Sequence, residues 1–288
     1  MSLLKQFTIS LSIMLIATGC ATTGVYNAAY KGDNNQVLSL LKQGNDINER
    51  NKSGWTPLMI AAAEGHADTV KILIGKGADV NARNRYGRTS LMYAAHYGYN
   101  PVVKLLVSAG ADQNAKGADQ TPPLIAAVHK GHLETIHILI RSGANINIRD
   151  QHNRTALLIA SAGGNKNIVE TLIRFGADLN ATDVDGQTSL LNATAAGHVD
   201  IALALILAGA DVNAVTKDKN SALMFGSGYG YDKIVAALLK KDAKVNLINA
   251  HGWSALYLAE SKGRQNIADM LKNHGAKPLA NKPLTELN

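Results

Sequence analysis

The sequence predicts an all-α solenoid of about eight stacked 33-residue helix–turn–helix units joined by short β-turn fingers. Three ladders at that one spacing carry the prediction. Glycine recurs without an insertion at Gly32, Gly65, Gly98, Gly131, Gly164, Gly197, Gly230 and Gly263. Leucine keeps the same register at Leu40, Leu73, Leu106, Leu139, Leu172, Leu205, Leu238 and Leu271. Alanine fills Ala28, Ala61, Ala94, Ala127, Ala160, Ala193 and Ala259, and only Gly226 departs. A fixed period of this kind means one small unit repeated, and stacking buries what no unit can bury alone.

The elements of one unit follow in order from Trp55 to Asn81. Thr56-Pro57 starts a helix, because threonine can cap the free amides and proline is preset for the first helical position. Leu58, Ala61 and Ala62 then share one face. Gly65-His66 ends that helix. A second helix is expected from about Ala67 to Lys76, with Val70, Leu73 and Ile74 on one face. Gly77 follows where a left-handed cap favours glycine. Ala78 to Asn81 leads out, and Asn84 to Gly87 reads as a tight turn. The alanines allow neighbouring helices to approach, and larger residues there would overpack at roughly 1–3 kcal/mol.

Thr56-Pro57-Leu58, Gly65-His66 and Gly77-Ala78-Asp79-Val80-Asn81 resemble the consensus of the ankyrin repeat family, over about Val25 to Ala276. The resemblance implies a curved solenoid that binds other proteins through its fingers and first helices. The chain departs from the family in places. The histidine usual after Thr-Pro-Leu is replaced by Met59, Met92, Ile125, Leu158, Leu191, Met224 and Tyr257. Pro122 stands in place of the capping threonine. Asp242 replaces the cap glycine of the seventh unit, where a non-glycine residue is mildly strained.

Composition agrees with a folded body, at 46% hydrophobic and 18% charged residues. Length alone suggests two domains, but the repeat overrides that prior. The organisation expected is a signal over residues 1–19, a cysteine and short tether over 20–24, the array over 25–277 and a flexible tail over 278–288. Lys5 followed by the apolar run Phe7 to Ala17 has the pattern of a secretory signal, too short to span a membrane. Ile16-Ala17-Thr18-Gly19-Cys20 looks like the lipobox of bacterial lipoproteins, which implies cleavage before Cys20 and its lipidation. Ordinary cleavage near Ala21, leaving a soluble periplasmic protein, is the alternative. Ala21 is not the aspartate of inner-membrane retention, so the resemblance favours the outer membrane, facing the periplasm. A tether of four or five residues up to Gly24 would reach roughly 15–18 Å, holding the array near the lipid.

Cys20 is the sole cysteine, which excludes thiol catalysis and cysteine metal sites in the mature body. The net charge of +7 falls to +6 once Lys5 is lost, a modest basic balance with no dense basic run. No nucleic acid is expected as a partner, and a monomer is expected. Ser39-Leu40-Leu41-Lys42 spells a serine–lysine pattern, but it sits in a repeat helix. Gly226-Ser227-Gly228-Tyr229-Gly230 lacks the strand-then-helix context of a phosphate loop. No His-Glu-x-x-His sequence occurs. The sequence therefore predicts no enzyme, no cofactor and no metal. An enzyme with an unrecognised site in the groove is the alternative of another class.

Binding is better supported. The family's contact positions, carried over residue by residue, are finger residues Trp55, Arg85, Tyr86, Arg88, His152, Arg154, His251 and Trp253. First-helix ends add Tyr30, Glu64, His96, Tyr97, His129, Lys130, Tyr229 and Lys262. Aromatic and arginine residues make the strongest contacts. The tryptophans, at equivalent positions, could instead pack against the next finger. His96 and His129 share one repeat position and should be neighbours. Large helix-end residues (Tyr97, Tyr99, Lys130) give way to Ala162, Gly163, Ala195 and Ala196, then return at Tyr229 and Tyr231, which predicts a saddle. The two glycines of the seventh unit's first helix predict that it opens most easily. The function expected is a lipid-anchored protein-binding scaffold. It is either an immunity or inhibitor protein against a periplasm-acting toxin or an accessory scaffold for an envelope enzyme or stress-defence complex.

Overall fold

A computed structural model describes residues 24–279, and within them sixteen helices form eight antiparallel pairs. Units 1 to 4 comprise Val25–Lys31 with Asn34–Lys42, Pro57–Glu64 with Ala67–Gly75, Ser90–Tyr97 with Asn100–Ser108, and Pro123–Lys130 with Leu133–Arg141. Units 5 to 8 comprise Ala156–Ala162 with Lys166–Arg174, Ser189–Ala195 with Val199–Leu207, Ala222–Tyr229 with Asp232–Lys240, and Ala255–Ser261 with Gln265–Asn273. The all-helical solenoid is as the ladders require. The fingers are turns, with one isolated antiparallel bridge between Val215 and Ser221 among the described residues.

Six of the eight described first helices start where a hydroxyl accepts the amide three residues on. Thr56, Thr89, Thr155, Thr188, Ser221 and Ser254 all cap in this way. Pro122 has no such bond, so unit 4 alone of units 2–8 begins uncapped by a side chain. In unit 2 the first helix is buried from Pro57 to Ala63. The ladder alanines let neighbouring first helices pack more closely than neighbouring second helices do. The stack therefore curves, with first helices and fingers on its concave side.

The glycine ladder has two physical causes. Gly98 has φ +73, and a Cβ there would lie 2.6 Å from His132 Nδ1 of the next unit. Gly32, Gly65, Gly164, Gly197 and Gly230 meet His66, Tyr99, His198, Tyr231 and Arg264 in the same way. Asp242 adopts φ +57, the left-handed conformation that its place in the pattern demands. Gly226 is explained by packing: a Cβ would come within 3.1 Å of Val235 Cγ2, so the two helices of unit 7 touch there.

Polar bridges tie the units together. An unbroken asparagine ladder spans every junction: the side-chain carbonyls of Asn48, Asn81, Asn114, Asn147, Asn180, Asn213 and Asn246 each accept the backbone amide 31 residues on. Fingers bond to fingers, as where Arg85 N–H donates to Ser53 O at 3.1 Å and Lys217 N–H to Asp185 O at 3.0 Å. Guanidinium groups of Arg50, Arg83 and Arg149 reach the carbonyl 33 residues ahead. Rings of His66, His132 and His198 bond to the carbonyls of Tyr30, His96 and Ala162.

The junction between units 4 and 5 lacks three of these four devices. The finger bond from Gln151 to Asp119 is absent among the described hydrogen bonds. Lys116 replaces the bridging arginine, and Asn165 stands where a ring or, at Gly230, the Arg264 guanidinium covers the ladder glycine, so nothing lies within 4 Å of a Cβ on Gly131. The Asn147–Asp178 bond at 2.9 Å remains, with a 3.4 Å contact from His137 to Thr171. The described array is thus two four-unit blocks with a lightly bridged seam between them.

Candidate protein-binding groove

The fingers and first-helix ends place most of the expected residues on one concave surface. Trp55 is a correction to that expectation. It is only 8% exposed and stacks on Tyr93 with ring centroids 4.3 Å apart. Tyr93 sits one turn into the first helix of unit 3, so the indole closes the core rather than facing a partner. Asn84 Nδ2 donates to the Tyr93 hydroxyl at 2.8 Å, and burial pushes that hydroxyl's pKa up to about 12. The guanidinium of Arg88 lies 6.0 Å over the same ring and donates to Asp119 at 2.7 Å. Arg85 and Tyr86 stand exposed at the fingertip beside it.

His96 and Tyr97 meet edge-on at 4.8 Å, and Tyr97 faces Tyr99 at 5.8 Å. Burial drives the His96 pKa down to about 4, with further lowering from Lys130, Arg88, His132 and His129. In the next unit His129 and Lys130 are exposed. Crowding by the surrounding protein lowers the His129 pKa even so, and Arg154 adds to the effect. Arg154 grips Asp150 through two nitrogens, at 2.9 and 2.7 Å. Burial would raise the Asp150 pKa, but those bonds and charges outweigh it and the net shift is downward. His152 is exposed on the neighbouring fingertip.

Beyond Arg154 the floor drops. Ala162, Gly163 and Ala196 are exposed and Ala195 is partly so, with no large side chain at these helix ends. Unit 7 raises a wall again. Tyr229 is 54% exposed and stacks parallel to Phe225, 6.5 Å away, with Tyr231 at 5.8 Å. Trp253 is half-buried between His251 at 4.9 Å and Tyr257 at 6.4 Å.

The structure therefore brings together Arg85, Tyr86, Arg88, His96, Tyr97, His129, Lys130, His152 and Arg154 over three consecutive units. Tyr229 lies apart, three units beyond Lys130. Cys20 lies outside the described residues. The residues missed from sequence were Tyr93, Asp119 and Asp150, which orient Trp55, Arg88 and Arg154. Asp150 had a signal, because it occupies the repeat position where Asn51 and Asn84 close their fingers. Asp119 and Tyr93 had none, since both fall at positions that vary from unit to unit. Among the described residues no three His, Cys, Asp or Glu side chains gather as a metal site. No described helix is long and apolar enough to cross a membrane.

A comparison with the curated proteins gives no match. The family described as "Ankyrin repeats (3 copies)" matches residues 25–117, 124–216 and 204–282, which is most of the chain. With the repeat grammar, the helix pairs and the concave groove already in place, this shows that the chain belongs to the ankyrin-repeat family.

Proposed function

We propose that the protein is a non-enzymatic scaffold that binds a partner protein in its concave groove. One observation carries the reading: aromatic, arginine and lysine side chains converge on the concave surface of units 3 to 5, and a floor of small residues beside them leaves room for a protruding segment. The groove is preformed on helices, so docking orders little of the chain. Its residues make no arrangement of nucleophile, base and oxyanion donors, and Arg88 and Arg154 are held by carboxylates that orient them for recognition.

The lipobox-like run ending at Cys20 supports an anchored address, with the array held near the lipid of a bacterial envelope and facing the periplasm. In that setting a rigid groove suits an immunity or inhibitor protein that intercepts a toxin acting in the periplasm. An accessory scaffold for an envelope enzyme uses the same surface. Mass spectrometry of the membrane fraction tests the anchor: a diacylglyceryl group on Cys20 is expected, and an unmodified chain starting near Ala21 would refute it. Crosslinked capture from the source cell tests the groove. A stoichiometric partner lost on Tyr97→Ala and on Ala195→Arg is expected, while a partner indifferent to both would overturn the reading.

A further inference from the structure

We propose that the groove of units 3 to 5 receives an acidic segment of the partner protein, its carboxylates set over Arg85, Arg88, Lys130 and Arg154 with His96 and His129 between them. The inference rests on the scaffold reading and names the chemistry of what binds. Four cationic side chains face this part of the groove, against Asp119 and Asp150, with Glu64 at its edge beside Tyr97. Those two carboxylates show what the guanidinium groups are shaped for. Arg88 takes one oxygen of Asp119, and Arg154 takes Asp150 through a two-nitrogen grip. On that shared surface the cations are spaced over three units and not gathered at one point, so they match a chain of carboxylates and not one compact phosphate.

The histidines report the same field. The groups facing His96 are Arg88 from the finger, Tyr97 beside it, and Lys130, His129 and His132 from the next unit. Arg154 and Lys130 press on His129, opposed by Asp150. Burial is the larger cause of the lowering at both rings, and these charges add to it. A carboxylate between them opposes both effects by favouring the charged imidazolium, so docking takes up protons. If docking restores the His96 pKa from about 4 to its ordinary 6.5, affinity rises about tenfold between pH 7.5 and 5.5.

The groove also sets the register. Tyr229 and Phe225 form an exposed aromatic wall three units beyond Lys130. At about 8–10 Å per packed helix this is roughly 24–30 Å, or about seven to nine residues of extended chain. An apolar residue at that distance from the acidic run would meet the wall.

The test is fluorescence anisotropy on the full-length protein with a synthetic labelled peptide: a hexaglutamate run, an eight-residue glycine–serine spacer, then Phe-Leu. The expected result is binding at least tenfold tighter than with glutamine in place of glutamate. It should weaken with salt, tighten about tenfold from pH 7.5 to 5.5, and be lost in the double variant Arg85→Glu/Lys130→Glu with unchanged thermal melting. His96→Gln with His129→Gln should flatten the pH dependence. Equal binding of the glutamine peptide, or equally tight binding of an oligothymidylate of the same charge, would overturn the proposal. If the peptides fail while crosslinked capture still yields a partner lost on Ala195→Arg, the acidic-segment inference falls and the scaffold reading stands.

Discussion

Removing the Asn147 side chain should uncouple the two halves of the array, and the same change one block away should not. The junction between units 4 and 5 keeps Asn147 Oδ1 accepting from Asp178 N–H at 2.9 Å but has no finger bond, no arginine bridge and no ring on its glycine. Asn81 makes the equivalent bond to Asp112 at 2.8 Å, in a junction that also has the Arg50–Arg83 and Arg85–Ser53 bonds. Each hydrogen bond removed costs about 1 kcal/mol net, one for Asn147 and two for Asn81, whose Nδ2 also donates to Gly110 O at 3.1 Å. In a solenoid this cost falls on a nearest-neighbour interface, so its effect depends on what else holds that interface. The two tryptophans report separately, since Trp55 belongs to unit 2 and Trp253 to the finger of unit 8. Urea unfolding would be followed in single-tryptophan backgrounds, Trp253→Phe and Trp55→Phe. Asn147→Ala should widen the gap between the two midpoints by about 0.3–1 M, from 1 kcal/mol and an m-value of about 1–3 kcal/mol/M. Asn81→Ala should shift the Trp55 signal without opening a comparable gap. Coincident transitions in Asn147→Ala, or an equal gap in Asn81→Ala, would refute the seam.

Other consequences follow from the same contacts. Gly98→Ala should destabilise by more than the roughly 1–2 kcal/mol of left-handed strain, because the added Cβ meets His132 at 2.6 Å; Gly143→Ala, with φ +99 and open space around it, should show the strain alone. Thermal melts of the two variants decide this, at about 2–4 °C per kcal/mol. Asp242→Gly should stabilise the chain by about 1 kcal/mol by relieving φ +57, seen as a higher melting temperature. The His96 pKa near 4 means that the unfolded chain takes up its proton first as pH falls through about 6.5. The stability it contributes is complete above that pH and is lost on acidification towards 4, so denaturation midpoints should fall over this range less steeply in His96→Gln.

The fold was legible because every constraint that builds it recurs. The glycines, leucines and alanines answer to contacts that are the same in each unit, and repetition makes such contacts visible in one sequence. The groove was legible only as a set of positions. Trp55 and Trp253 share a repeat position, yet Trp55 is covered by Tyr93 of the following unit while Trp253 lies in the last described unit and packs against His251 and Tyr257 of its own, so identical grammar gives a buried ring and a half-exposed one. The seam was hidden for a related reason: the expectation that unit 7 opens most easily weighed helix propensity at Gly226 and Gly228, whereas the gap in bridging between units 4 and 5 is a matter of contacts between units. Missing bonds between units leave no mark in local propensity.

The most direct test of the scaffold account is a photo-crosslinking scan in the source cell. A benzophenone side chain would be placed in turn at concave positions Tyr97, Lys130, Gly163 and Tyr229, and at Lys71, Lys104 and Leu207 on the second helices. The account predicts a common adduct of one discrete mass from the concave positions and none from the second-helix positions. Adducts from the second-helix positions alone would contradict it.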